Sequence, residues 1–322
     1  MIQIFGQKEY GNYIAAEGVW IDLTNPTPEE ITKITHVLNL EYDDLIAAMD
    51  LNEKNRVEMS NNYILIIIDT PNKYSELDYK SIPLGIIITG NNIITVCFTE
   101  NQILNKLHSN YEDKYAKTSK IEFVYDILMK TTIAYQVALL SINKTRENLE
   151  KNVQKITGEA ELISLHKLES TLVHFFTSIK GNATVITKMM KYKEVHNISD
   201  AQDVLDNLFI ESQQNLEMVQ IYREIISSTR ELFSSIIDSR LNNVMKRLTS
   251  ITVILSIPTI ISGIYGMNLN PVGMPFSQIA HGFTIISGII AMTCLILAVL
   301  LKTKKLLEKN TKTNFWIFRK KF

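Results

Sequence analysis

From Leu248 to Leu301 the chain runs for 54 residues without an Asp, Glu, Lys or Arg, and Tyr265-Gly266-Met267-Asn268 breaks the run near its middle. Its two apolar stretches, 248–266 and 282–301, each hold the roughly 20 residues needed to cross a hydrocarbon core about 30 Å thick as a helix. Two membrane spans are predicted. The connection between them, 267–281, is rich in Asn, Pro and Gly and cannot continue a helix, so it must sit in water or against protein.

Upstream, the pattern changes once. Every proline that precedes the first span lies before residue 84, and none occurs from Leu84 to Ile257. In the proline-bearing part, Val19-Trp20-Ile21-Asp22-Leu23 reads as a strand, and Thr27-Pro28-Glu29-Glu30 reads as a capped helix start with Pro at the first helical position. Tyr63 to Thr70 is an unbroken apolar run ending at Pro71. Ile86–Thr89 and Ile93–Cys97 form a hairpin pattern around Gly90-Asn91-Asn92. Residues 1–120 thus predict an α/β domain, a small sheet covered by helices. Residues 121–247 read as a helical stalk, broken only by Gly158 and Gly181, with antiparallel helices of about 30 residues. A last helix starts near Asp203 and runs on as the first span. At 1.5 Å per residue it would measure roughly 90 Å, and it must pack against other helices to be stable. The fold class expected is an α+β membrane protein.

Stepping back from Gly263 by alternating intervals of four and three selects one face of that helix: Thr259, Ser256, Thr252, Thr249, Met245, Asn242, Asp238, Ser235, Glu231, Ser228 and Glu224. This spacing marks the apolar seam of a coiled coil. Here all but Met245 are polar. Two readings of the hydroxyls stand side by side: bonds to the helix's own carbonyls or to a neighbouring helix, or a water-filled path continued towards the cytoplasm by Asn242, Asp238, Glu231 and Glu224. Two spans per chain cannot enclose a pore, so the second reading requires a homo-oligomer. Acidic rings on the path favour cations.

The formal net charge of −1 averages two opposed regions. Residues 1–247 carry 25 Lys and Arg against 33 Asp and Glu, whereas residues 302–322 carry eight basic residues against Glu308 alone. Arg240, Lys246 and Arg247 precede the first span, Lys302, Lys304 and Lys305 follow the second, and the connecting loop has neither Lys nor Arg. This places both termini in the cytoplasm and the loop outside, in the plasma membrane. The start, Met1-Ile2-Gln3-Ile4-Phe5, lacks the pattern of a signal peptide. The tail 302–322, with Phe315, Trp316 and Phe318 among its basic residues, suits the lipid of the inner leaflet. Cys97 and Cys294 offer no disulfide framework, and His36, His108, His166, His174, His196 and His281 lack helical ligand spacing. No nucleophile motif or phosphate-binding loop appears, so no catalytic residue is assigned and neither an enzyme nor a nucleic-acid binder is expected.

Tyr265-Gly266-Met267-Asn268, at the outer end of the penultimate span, resembles the signature of the CorA-type magnesium transporters. Leu241 to Thr249 is also similar to that family, as are Trp20-Ile21-Asp22-Leu23 and Pro83-Leu84-Gly85. The resemblance implies a funnel-shaped homopentamer whose long helix lines the pore. It makes Gly266, Met267 and Asn268 the selectivity filter, with Asn268 as the outer ring. It sets Asn242, Met245, Leu248, Thr249, Thr252, Ser256, Thr259 and Gly263 along the pore, Met245 and Leu248 being its apolar constriction. Glu224, Glu231 and Asp238 then line the cytoplasmic mouth.

A neutral amide ring suits Mg2+, which sheds its water reluctantly: amide carbonyls accept hydrogen bonds from the hydration shell. Tyr265 reads equally as an interfacial aromatic or as a brace for the loop. Three departures stand out. Leu269 to His281 holds no acidic residue, Pro258 lies one position from the family's usual proline, and Asn207 occupies the place of a stalk carboxylate. Regulatory Mg2+ is therefore expected at Asp203 and Asp206 instead. The function expected is passive Mg2+ uptake, with cobalt or nickel as further ions and no organic cofactor. The alternatives are another divalent metal such as zinc on the same scaffold, or a non-conducting membrane-anchored scaffold.

Overall fold

A computed structural model describes the chain except residues 6–17, 61, 76, 91, 110, 112–118, 152–158, 192–200, 268–273, 277–278 and 320–322, and except the side chains of 159, 201–202 and 304–319. The described residues form two compact units, Met1–Ser234 and Ser235–Phe322.

The first unit is built on a six-stranded sheet of order β1-β2-β6-β5-β4-β3: β1 (Ile2–Phe5), β2 (Trp20–Thr24), β3 (Arg56–Met59), β4 (Tyr63–Ser75), β5 (Asp78–Thr89) and β6 (Ile93–Cys97). Only β2 and β6 pair in parallel. Both faces are covered, which explains the unbroken apolar run in β4. Ile66 and Ile68 point into one core, with Trp20, Phe123, Ile127 and Val185. Leu65 and Ile67 point into the other, under α1 (Pro28–Leu38) and α2 (Tyr42–Ala47), which contribute Ile31, Ile34 and Leu45. The expected capping box at Thr27 is present: the Thr27 hydroxyl accepts from the Glu30 amide and the Glu30 carboxylate from the Thr27 amide.

β4 and β5 run further than the prolines suggest. Pro71 lies beyond Ile67, where pairing with β3 ends, and Pro83 lies just before Leu84, where pairing with β6 begins. Neither missing N–H interrupts a ladder on that side, so the strands pass through both prolines.

Helices α3 (Gln102–His108), α4 (Lys120–Lys151) and α5 (Glu159–Met189) follow, and α6 (Ala201–Tyr265) contributes its first part to the same unit. That part buries Leu205, Leu208, Ser212, Asn215, Val219, Ile226, Thr229 and Phe233, a three-four spacing that faces one way. Val219 and Ile226 meet Tyr135, Leu139, Leu172 and Phe175 of α4 and α5.

Two polar networks tie the layers together. Asp22 is buried and accepts from Thr95 at 2.6 Å. It also lies 3.0 Å from His108 Nε2, and the Trp20 indole donates to Thr95 at 2.9 Å. On β4, the Asn182 amide of α5 takes both backbone groups of Asp69: the Asp69 N–H donates to Asn182 Oδ1 at 2.9 Å, and Asn182 Nδ2 donates to the Asp69 carbonyl at 2.8 Å. Burial pushes the Asp69 carboxyl above the ordinary carboxylate value, against the pull of hydrogen bonds from Ser178 and Asn55.

A carboxyl whose folded pKa is raised keeps its proton longer in the folded state. Its contribution to stability is thus complete at acid pH, and is lost as pH rises from the ordinary carboxylate range through the folded value. Every tenfold by which folding tightens the hold on that proton corresponds to about 1.4 kcal/mol. Denaturant unfolding of Asp69→Asn at a series of pH values should show its stability gaining on the parent across that window; a difference independent of pH would refute the assignment.

The second unit holds the rest of α6 and α7 (Gly282–Arg319). Among the described residues, three helices are long and apolar enough to cross a membrane. In α4 56% of the apolar window is buried in the protein, whereas in α6 and α7 none of it is. The apolar character of α4 is therefore satisfied by the core. That of α6 and α7 is not, and Leu248, Leu255, Ile260, Phe283 and Leu295 all stand exposed.

Candidate ion pathway and its return loop

The seam predicted on α6 is an exposed face in both units. Within the first, Glu224, Ser228 and Glu231 are exposed, while the buried positions Ile226, Thr229 and Phe233 are offset by two residues, about 200° around the helix. Within the second, Asp238, Asn242, Met245, Leu248, Thr249, Thr252, Thr259 and Gly263 are exposed, whereas Ser250, Ile254, Ile257 and Ile261 are half-buried. The polar seam is thus largely exposed, Ser256 being half-buried, and so are the apolar neighbours Leu241, Val244, Ile251, Val253, Leu255 and Ile260.

The hydroxyls on that face are oriented by their own backbone. Thr249 donates to the Met245 carbonyl at 2.9 Å, Thr252 to Leu248 at 3.0 Å and Thr259 to Leu255 at 3.0 Å. Their protons are thereby used and their lone pairs remain outward, so the face is one of acceptors. Ser256 differs: it donates to Val253, three residues back, at 2.8 Å, and is half-buried. Pro258, two residues on, sits inside the helix. Proline has no N–H for the carbonyl four residues earlier, which is that of Ile254. The thiol of Cys294 on α7 donates to that carbonyl at 3.6 Å. From the sequence, Cys294 was excluded only from a disulfide framework. The freed carbonyl follows from the position of Pro258, but its partner depends on tertiary packing.

Past α6, Gly266 is exposed, and its N–H donates to the Ser262 carbonyl at 2.8 Å. Met267 is exposed and Asn268 lies outside the described residues. The Tyr265 hydroxyl donates to the Pro275 carbonyl at 2.7 Å, the kind of contact that a brace for the loop requires. Gly263 has open space where a side chain would be, whereas Gly282, at the start of α7, is buried against the Phe276 carbonyl. The crowded glycine of this region is one the sequence did not single out.

Asp203 is exposed and Asp206 half-buried. Among the described residues, no group of three or more His, Cys, Asp or Glu side chains is placed to hold a metal ion. His108 is held by Asp22 and stacks on Phe5 with centroids 4.6 Å apart. The aromatic side chains of the tail, and its basic side chains beyond Lys302, lie outside the described residues.

A family model described as CorA-like Mg2+ transporter protein matches residues 15–305. The cobalt/magnesium transport protein CorA of Methanocaldococcus jannaschii is 28% identical over 283 residues, 86% of this chain and 88% of that protein. The protein of the same name from Thermotoga maritima is 21% identical over 293 residues, 89% of this chain and 82% of its own length. The fold is similar to the complete structure of the CorA magnesium transporter from Methanocaldococcus jannaschii, with a TM-score of 0.76 at 24% identity and 92% of each chain covered. With a family model spanning most of its length, the chain belongs to the CorA-like Mg2+ transporter family.

Proposed function

We propose that this chain is one subunit of a homopentameric channel that carries divalent cations, Mg2+ foremost, passively into the cell. The observation that supports this reading is the line of exposed acceptor hydroxyls along α6, which leads in the sequence to Gly266-Met267-Asn268. A hydrated divalent ion presents water hydrogens outward, and a lining of hydroxyl and amide oxygens accepts them without stripping the shell. Five copies of the helix enclose the path in a funnel-shaped assembly. Asn268 forms the outer ring, Met245 and Leu248 the apolar constriction, and Glu224, Glu231 and Asp238 gather cations at the cytoplasmic mouth.

In this reading residues 1–120 and 121–247 are the cytoplasmic α/β domain and stalk. Residues 248–266 and 282–301 are the spans, 267–281 is the outer loop, and 302–322 is a basic tail on the inner leaflet. The arrangement of Lys and Arg supports both termini in the cytoplasm of a plasma-membrane protein. Cobalt is a further ion, in keeping with the names of the two relatives. Uptake into liposomes of magnesium, cobalt and zinc, each offered alone, tests the reading. Magnesium flux is expected; zinc flux alone would move the scaffold to another metal, and no flux would leave a membrane anchor.

Regulation follows the same logic. Asp203 and Asp206 at the start of α6 are too few to hold an ion within one chain, so the proposed inhibitory Mg2+ bridges neighbouring copies and favours the closed state. The double variant Asp203→Ala, Asp206→Ala is expected to keep conducting at internal magnesium levels that shut the parent. Unchanged magnesium-dependent closure would remove the site.

A further inference from the structure

The return of the loop is held at two neighbouring carbonyls. The Tyr265 hydroxyl at the end of α6 donates to the Pro275 carbonyl at 2.7 Å. The next carbonyl, that of Phe276, rests on the bare Cα of Gly282, and a methyl group there would overlap this oxygen far inside van der Waals contact. Phe276 itself adopts φ +59°, a left-handed conformation that a bulky residue takes only when its surroundings impose it. The turn is closed by backbone bonds from Gly282 to Ile279 at 2.9 Å and from Ile285 to His281 at 3.1 Å. Nothing in helix propensity asks for glycine at 282, since alanine is the better helix former. The contact with Phe276 is the reason that remains.

We propose that Tyr265 and Gly282 are positioning residues: together they clamp the Pro275-Phe276 turn between the ends of α6 and α7, and thereby fix the loop that carries Asn268. The proposal rests on the reading of Asn268 as the filter. It assigns to Gly282 a part in ion recognition although its Cα never meets the ion. The clamp sets where the chain must arrive at Pro275 after leaving Met267, so a displacement at residue 276 changes the distance that the intervening loop has to close. A site held about 1 Å too loosely loses affinity before it loses its fold.

The test compares two identical substitutions on one helix. Gly282→Ala adds a methyl group against the Phe276 carbonyl, whereas Gly288→Ala adds the same group where nothing lies within 4 Å. Magnesium uptake is measured in liposomes over a range of concentrations, with calcium as competitor and the amount of assembled protein determined for each variant. Gly282→Ala is expected to raise the half-saturating magnesium concentration about tenfold and to weaken discrimination against calcium, with a smaller change in maximal rate. Gly288→Ala should match the parent. A general loss of folding would lower the maximal rate alone. Tyr265→Phe, which removes one hydroxyl and adds no bulk, is expected to shift half-saturation in the same direction, and it decides the matter should Gly282→Ala fail to assemble. If Asn268→Ala leaves uptake intact, the filter assignment fails. If Asn268→Ala abolishes uptake while Gly282→Ala and Tyr265→Phe keep the parent's half-saturation and selectivity, the clamp alone is refuted.

Discussion

Asn268→Ala is expected to abolish magnesium uptake at physiological concentrations while leaving the protein assembled. A hydrogen bond to a charged group contributes about 1.5–3 kcal/mol. An alanine ring removes one amide from every copy, and the loss of only two such bonds already weakens binding by more than about 100-fold. Loop residues Leu269 to His281 contain no carboxylate that would compensate. Aspartate at the same position separates charge from geometry. Asn268→Asp keeps the size but offers a carboxylate ring, and is expected to bind magnesium more tightly and to pass it more slowly. Uptake curves for the three proteins at equal reconstitution test this; an alanine variant that takes up magnesium like the parent would exclude Asn268 from recognition.

Removing the hydroxyls of the α6 face is expected to stop conduction by a different route. Thr249→Val, Thr252→Val, Ser256→Ala and Thr259→Val together preserve volume and delete every hydroxyl on that face over a rise of about 15 Å. An apolar stretch of that length expels water, and an ion that keeps its shell cannot follow. Uptake should fall by more than about 100-fold, since each acceptor lost leaves hydration waters unmatched. Ser250→Ala is the control. That hydroxyl is also bonded to its own helix, donating to Lys246 at 2.7 Å, but it lies on the half-buried face with Ile254 and Ile257. It should have little effect. Equal losses from both changes would indicate damage to helix packing rather than to a lining.

What the sequence disclosed was whatever follows from local periodicity. The charge-free run marks α6 and α7 because membrane crossing is a matter of length and composition. Alternating steps of three and four picked out a line of polar residues on α6 because helical phase is fixed by 3.6 residues per turn. The Thr27 capping box is contained within four residues. Features that depend on a distant partner were hidden. Pro71 looks like a strand end until the reach of β3 is known, and β4 in fact continues to Ser75. Gly282 and Phe276 are six residues apart, and no propensity predicts that one's carbonyl will rest on the other. The part of Cys294 was hidden because its partner, the carbonyl freed by Pro258, lies on another helix. The apolar character of α4 misleads in the opposite sense, for it reflects burial within the first unit.

The central claim is that one face of α6, and no other, meets the ion. The most direct measurement is a scan of single substitutions to cysteine in a Cys97→Ala, Cys294→Ala background, with magnesium uptake followed before and after a water-soluble thiol reagent. The claim predicts block at Thr249→Cys, Thr252→Cys and Thr259→Cys, weaker block at the half-buried Ser256→Cys, and none at Ser250→Cys, Ile254→Cys or Ile257→Cys. Block that peaks at 250, 254 and 257, or that follows no helical phase, would contradict it.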